Sequence, residues 1–312
     1  MNEIALSGEI LPVPTGTPIP PPLTAEDLAA LRRAVAALER PGLAARLSAA
    51  AGAPLEMIGR ALPGPVTEAV ARSTEGAMRT ALRIALATLP DRTVKATGEG
   101  AGTAVETVSA ETASRLSRLL GSSDARHKVF AALSGAVGGA FGLPSLAVEL
   151  PLSTTLMLRS IAEIAREEGE DLSDPEGALA CVQVFALGGR NGAETALADS
   201  GYFAVRAALA KTMSEAARYA AHRSLLDAGA PALMRFSAQI AARFGLVVSQ
   251  KVAAQAVPLI GAVGGAAVNT AFMDHFQSMA RAHFTVRRLE RSYGKEAIRQ
   301  AYAAEKDAFG IG

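Results

Sequence analysis

Apolar residues recur at helical spacing along most of this chain. In TAEDLAALRRAVAALER, Leu28, Leu31, Val35 and Leu38 fall three or four apart, behind Thr24 as N-cap and Asp27 in the first turn. Pro41-Gly42 closes that helix. A short helix is expected over residues 55–62, ended by Pro63 and Pro65. A longer amphipathic helix is expected over 66–89, carrying Val70, Met78, Leu82, Leu86 and Leu89 up to Pro90. Gly98, Gly100 and Gly102 mark a loose link before another amphipathic segment, 103–120. Downstream, Asp174-Pro175 opens a helix with proline at its first position, and Gly188-Gly189 ends it. Residues 201–221 and 232–250 read as two more amphipathic helices. Sustained alternation of β-branched or aromatic residues is missing, so the pattern predicts an all-α bundle of roughly eight to twelve helices.

Two stretches depart from the amphipathic pattern. Between Lys128 and Glu149 lie 20 uncharged residues, VFAALSGAVGGAFGLPSLAV. Between Lys251 and Asp274 lie 22, VAAQAVPLIGAVGGAAVNTAFM. Apolar runs of about 18 or more residues are candidate membrane spans. Here Gly142-Leu143-Pro144 interrupts the first run, and Gln255, Pro258 and Asn269 interrupt the second. Alanine and glycine also contribute little transfer energy compared with leucine. Each run is therefore expected to form a Gly-rich apolar helical hairpin, either buried or partly embedded in a membrane as a re-entrant or interfacial segment. Both runs contain GAVGGA, at Gly135–Ala140 and Gly261–Ala266. Gly135/Gly139, Gly138/Gly142 and Gly261/Gly265 are spaced i,i+4, with Gly264 beside the last pair. That spacing lets helix backbones touch, in lipid and in a crowded soluble core alike. These seven glycines are the expected close-packing points.

Composition narrows the function classes. Half the residues are hydrophobic but aromatics are only 4% and Trp is absent, so small and aliphatic side chains build the core. With 31 basic and 30 acidic residues the net charge is +1, which argues against a nucleic-acid partner. Cys181 is the only cysteine, so no internal disulfide forms and no oxidising compartment is implied. Within ALACVQVFAL it reads as a small buried hydrophobe. Residues 1–22 are proline-rich and lack a basic segment followed by an apolar one; they predict a disordered arm and a cytoplasmic protein. An N-terminal helical region, 23–120, and a helical core, 121–312, follow. After the first uncharged run comes the acidic REEGEDLSD; after the second comes ARAHFTVRRLERSYGK, with Arg281, Arg287, Arg288, Arg291 and Lys295 against Glu290. The basic segment suits either anionic lipid head groups or a solvated helix face.

Catalytic motifs are missing. The chain has no HExxH, GxSxG, GxxxxGK[ST] or GxGxxG. His275 and His283 are eight residues apart on one predicted helix, about 12 Å of rise, too far for one zinc ion. His127 and His222 stand elsewhere, and no metal or cofactor is expected. An apolar run is the wrong setting for a Cys181 thiolate. The best polar constellation draws Glu149, Arg159 and Glu163 from the first segment, the latter two i,i+4 on one face. The second segment adds Asn269, Asp274, His283, Arg287 and Glu290. If the segments pack together, two readings stand. One is a polar network fixing helix register, through Glu149, Arg159, Glu163, Asp274 and Arg287. The other is an active site built from Glu163, Asn269, His283 and Glu290.

Two longer stretches carry a resemblance. GLPSLAVELPLSTTLMLRSIAEIAREEGEDLSDPEGALACVQVFALGG, residues 142–189, and VPLIGAVGGAAVNTAFMDHFQSMARAHFTVRRLERSYGKEAI, residues 257–298, resemble the EcsC protein family. In that family a stretch of the type DIP…R.I..IA..YG.D precedes an alanine-rich helix, and P..GA..G...N..F......A..HF..R.LE..YG closes the domain. The resemblance spans roughly Pro63–Ile298. This chain departs from it at Glu149-Leu150-Pro151 and at Glu168-Gly169-Glu170-Asp171, where the family has tyrosine and glycine. The family takes its name from a product encoded beside an ABC transporter, and some members carry a peptidase or hydrolase label. The resemblance implies a helical, membrane-associated bacterial protein. The resulting expectation is a non-enzymatic protein at the cytoplasmic face of the inner membrane, peripheral or partly embedded, accessory to transport or envelope processes. Its expected partners are membrane lipid or a membrane protein, with self-association open. A hydrolase acting on peptide or lipid, and a soluble helical scaffold, are the alternatives.

Overall fold

The computed structural model describes residues 22–39, 63–87, 146–188, 201–222, 230–255 and 261–310. Among them are eight helices and no strand: α1 (Ala25–Glu39), α2 (Gly64–Ala87), α3 (Leu146–Glu167), α4 (Pro175–Leu187), α5 (Tyr202–His222), α6 (Pro231–Gln255), α7 (Gly261–Tyr293) and α8 (Lys295–Ala308). The helices expected over 55–62 and 103–120, most of the N-terminal arm and the first GAVGGA lie outside the described residues.

Local signals place the helix starts. The Asp27 amide donates to the Thr24 hydroxyl at 3.1 Å, the N-cap bond that the TAED spacing predicts. Pro63 precedes α2, which covers nearly all of the stretch predicted over 66–89. Pro175 opens α4 behind Asp174, because proline has no amide to leave unsatisfied in a first turn. α4 is buried on every side from Gly177 to Leu187, so it is the central helix rather than a surface one. α2, α3, α5, α6 and α7 surround it, and α1 and α8 pack on the C-terminal half of α7. Phe185 of α4 meets Phe244 of α6 at 5.1 Å and Phe276 of α7 at 5.4 Å between ring centroids, so the three elements share one aromatic centre.

α3 ends in a turn that glycine makes possible. Gly169 has φ +72°, the left-handed region. The Gly169 amide donates to the Arg166 carbonyl (3.0 Å) and the Glu170 amide to the Ala165 carbonyl (2.8 Å), the paired bonds of a Schellman cap. The chain then folds back over α4. There a Cβ on Gly177 would stand 2.1 Å from the Asp171 carbonyl oxygen, so only hydrogen fits. This cap aims Glu168 and Glu170 at the arginines of α7.

The two family-like segments do pack together. Gln277 donates to Ser160 (2.8 Å), Thr285 to Glu168 (3.0 Å) and Arg287 to Glu170, each pair 117 residues apart. A constant offset over three turns means that α3 and α7 run parallel in fixed register. α6 runs against them, since Lys251 near its C-terminus bonds Glu149 in the first turn of α3. Residues 252–255 of the second uncharged run belong to α6 and residues 261–273 to α7. Among the described residues no helix is long and apolar enough to cross a membrane.

Of the seven glycines expected as close-packing points, Gly135, Gly138, Gly139 and Gly142 lie outside the described residues. Gly261, Gly264 and Gly265 lie in the first two turns of α7, in helical conformation. The tight glycine contacts that the structure describes fall at the two ends of α4. One is Gly177 against the Asp171 carbonyl. The other is Gly188, where a Cβ would stand 2.6 Å from the Phe276 ring. α4 is enclosed on every side, so its neighbours press on both of its ends.

Candidate functional site

Opposite charges meet where α3 ends beside α7. Arg287 forms a fork on Glu170, with 3.1 Å from Nε and 2.5 Å from Nη2, and lies 3.6 Å from Glu176. Arg291 also donates to Glu170, and to the Glu168 carbonyl at 2.8 Å. Arg288 bridges Glu168 (2.9 Å) and Asp27 of α1 (3.0 Å), and the Tyr293 hydroxyl completes the group by donating to Asp27 at 2.6 Å. Burial alone would raise the Glu170 carboxyl, but Arg287 and Arg291 outweigh it and hold the group below the ordinary carboxylate range. The acidic and basic segments therefore neutralise each other inside the molecule. Arg281 forms a longer pair at the edge of the group, 3.8 Å from an exposed Glu167.

A second group is closed off from water. Tyr202 and Arg206 stand one turn apart on α5. The Arg206 guanidinium grips Glu290 of α7 with two bonds, 2.7 and 2.9 Å, and donates to the Tyr202 hydroxyl at 3.2 Å. That hydroxyl lies 2.9 Å from His283 Nδ1. The hydroxyl oxygen has two lone pairs, so while accepting from Arg206 it can either donate to Nδ1 or accept from it, according to the imidazole tautomer. Nε2 is buried and has no hydrogen-bond partner among the described residues. Burial, and then the nearby charges of Arg206 and Arg287, push the His283 pKa well below the ordinary value, so the ring is neutral. Burial raises the Tyr202 phenol. Burial opposes the Arg206 charge, yet Tyr202 and Glu290 outweigh it and raise that pKa. Tyr302 stacks on Tyr202 at 5.7 Å and donates to Glu39 at 2.8 Å, so α8 and α1 seal the group.

The third group is a buried ion pair. Lys251 Nζ lies 2.8 Å from Glu149 Oε1, with the lysine side chain 0% and the glutamate side chain 7% exposed. The ammonium sits 5.1 Å from the centre of the Phe272 ring. Burial lowers the Lys251 pKa, and Glu149 opposes that shift.

These groups sort the sequence candidates. His283 and Glu290 belong to one network, through Tyr202 and Arg206. Asn269 is buried on the same helix, but 21 residues before Glu290, about 31 Å of helical rise. One small active site does not hold both. Glu163 and Asp274 are half-buried and Arg159 is exposed. Glu149 and Arg287 each stand in an ion pair, with partners Lys251 and Glu170 that sequence reasoning passed over. Tyr202, Arg206 and Asp27 were also passed over as site residues. One signal for Lys251 was present: it borders an uncharged run, and a charge carried into such surroundings needs a partner. His275 donates from Nε2 to the Gly188 carbonyl at 3.1 Å. Among the described residues no three His, Cys, Asp or Glu side chains gather as metal ligands. Cys181 is 3% exposed and burial pushes its thiol up to about 12.

No curated protein and no solved structure matches the chain. The family model does match, and it begins at α1 rather than near Pro63, taking in the helix whose Asp27 clasps Arg288. Residues 25–289, most of the sequence, match the EcsC protein family, and the chain belongs to that family.

Proposed function

We propose that this EcsC-family protein is a non-enzymatic module at the cytoplasmic face of a membrane, meeting lipid with one end of its helical bundle. The buried Glu149–Lys251 pair carries the reading. Those two residues border the two uncharged runs, one ending at 148 and the other beginning at 252. Their bond pairs the charge that follows the first run with the charge that precedes the second. The parallel register of α3 and α7, with α6 antiparallel, puts Glu149 and Lys251, the residues bordering the two runs, at the same end of the bundle. In sequence each run offers glycine, alanine and aliphatic residues without a formal charge. Segments of this length and composition fit shallow insertion better than a full span. Because the α7 arginines are balanced internally, attachment rests on apolar burial more than on anionic lipid.

The non-enzymatic part rests on accessibility. His283 is 0% exposed and Glu290 9%, and both are committed to internal bonds. A general base must reach the proton it removes.

Flotation with neutral phosphatidylcholine vesicles tests the proposal. The protein is expected to float with the vesicles, to remain bound in 1 M salt (roughly a 3 Å screening length) and to resist a carbonate wash of bacterial membranes. Recovery entirely as a monodisperse species in a detergent-free lysate, with no flotation, overturns it.

A further inference from the structure

The α5–α6 pair exposes an uneven set of charges. Thr212 of α5 donates to Gln239 of α6 at 2.9 Å, and Arg235 of α6 reaches Glu215 of α5 at 3.0 Å. As α5 advances from 212 to 215, α6 retreats from 239 to 235, so the two helices run antiparallel along one seam. Lys211 and Arg218 stand four residues before and three residues after Glu215, on its face of α5. Arg243 stands four residues beyond Gln239, which itself stands four beyond Arg235, so it continues the seam on α6. Lys211, Arg218, Arg235 and Arg243 therefore border the seam against Glu215 alone, and Arg235 takes up that carboxylate.

The side chains of Lys211, Arg218 and Arg243 form no ion pair or hydrogen bond among the described residues. The other cations of the two helices turn inward: Arg206 holds Glu290 and Lys251 holds Glu149. α2 packs beside α6 with its carboxylates already matched within the helix, Glu68 by Arg72 and Glu75 by Arg79. Between the basic positions the exposed residues are short, Ala210 and Ser214 on α5 and Ala238 and Ala242 on α6, so the cationic heads stand above a low floor. Such a surface suits an extended anionic plane better than a compact ligand, which needs a concave pocket. No exposed aromatic stands on either helix to stack bases or to anchor a protein partner. Leu246, 47% exposed, stands five residues before Lys251 and leads towards the uncharged end.

We infer that the outer face of α5 and α6 is a docking surface for anionic phospholipid, with Lys211, Arg218 and Arg243 set on head-group phosphates and Leu246 as the apolar contact nearest the uncharged end. The inference rests on the membrane reading for its choice of a lipid surface. It adds an electrostatic contact that fixes which side of the bundle lies against the membrane. Each basic residue close to an anionic bilayer contributes about fivefold in affinity.

Partition coefficients of the full chain, from lipid titrations with phosphatidylcholine vesicles and with vesicles that also contain phosphatidylglycerol, provide the test. Neutral vesicles report on the membrane reading, and the gain from phosphatidylglycerol reports on this face. That gain is expected to be about tenfold or more at low salt and to vanish in 1 M salt, where the screening length is about 3 Å. The variant carrying Lys211→Gln, Arg218→Gln and Arg243→Gln should lose most of the gain while keeping its circular dichroism spectrum and its partition into neutral vesicles. Removing the same charge elsewhere, by Arg33→Gln, Arg166→Gln and Lys295→Gln on α1, α3 and α8, should leave the gain within about threefold of the parent. The inference falls if phosphatidylglycerol gives less than about a twofold gain, if the first triple variant keeps the gain, or if the second loses as much as the first. It also falls if polyglutamate binds the parent while phosphatidylglycerol adds nothing.

Discussion

Removing one member of the Glu149–Lys251 pair should damage the protein more than removing both. At 2.8 Å, with an effective dielectric of about 20, the attraction amounts to roughly 6 kcal/mol. Withdrawing each ion from water costs several kcal/mol, so the intact pair nets little against an apolar pair of similar volume. A single substitution removes the attraction and leaves the other ion buried. Glu149→Gln and Lys251→Met are each expected to lower the unfolding free energy by about 3–5 kcal/mol. The double variant Glu149→Leu with Lys251→Met should fall within about 1 kcal/mol of the parent, or exceed it. Urea unfolding followed by far-ultraviolet circular dichroism gives all four corners of the cycle. The alkaline limb adds a check. Burial lowers the Lys251 pKa, so on raising the pH the folded state sheds this proton before the unfolded state does. Stability therefore rises with pH from the folded pKa to about 10.4, and Glu149→Gln should widen that window downwards. Losses below about 1 kcal/mol for both single variants would show the pair to be hydrated, and would remove the physical basis for an uncharged bundle end.

Three further outcomes follow from named groups. His283 titrates well below the ordinary value when folded, so below about pH 6.5 the unfolded chain takes up a proton that the folded one refuses. Stability should then fall by about 1.4 kcal/mol per pH unit, a slope that His283→Gln abolishes; identical slopes in urea titrations of parent and variant refute it. Gly177→Ala forces a Cβ to within 2.1 Å of the Asp171 carbonyl and should cost about 1–3 kcal/mol, read as a lowered urea midpoint. A change of less than about 0.5 kcal/mol contradicts the close approach. Cys181, 3% exposed and with its thiol pushed up to about 12, should resist a disulfide reagent at pH 8 in the native protein and react in urea. Stoichiometric labelling of the native protein within seconds would contradict its burial.

Helices in this chain are written locally. Thr24 and Asp27 cap α1, Pro175 opens α4, and apolar spacing sets the extent of α2, because capping, proline and i,i+4 contacts act within a turn or two of the chain. The uncharged setting of Cys181 likewise announced its burial. What the local pattern lacks is orientation. The candidates Asn269 and Glu290 look close in a family-like stretch, yet an unbroken α7 carries them to distant levels of the bundle. The close approaches at Gly177 and Gly188 had no signal in glycine spacing, because each depends on a neighbour brought in from elsewhere in the chain.

The sequence by itself determined an all-helical chain, the points where several helices begin, the EcsC resemblance and the two runs without charge. Only the tertiary structure decided which charges meet. Glu149 finds Lys251 across 102 residues, Tyr202 finds His283 across 81, and Arg288 finds Asp27 across 261. Such pairs depend on helix register and on a glycine cap that turns Glu170 back onto α7. A helix presents many faces of similar composition, and packing selects which of them meet.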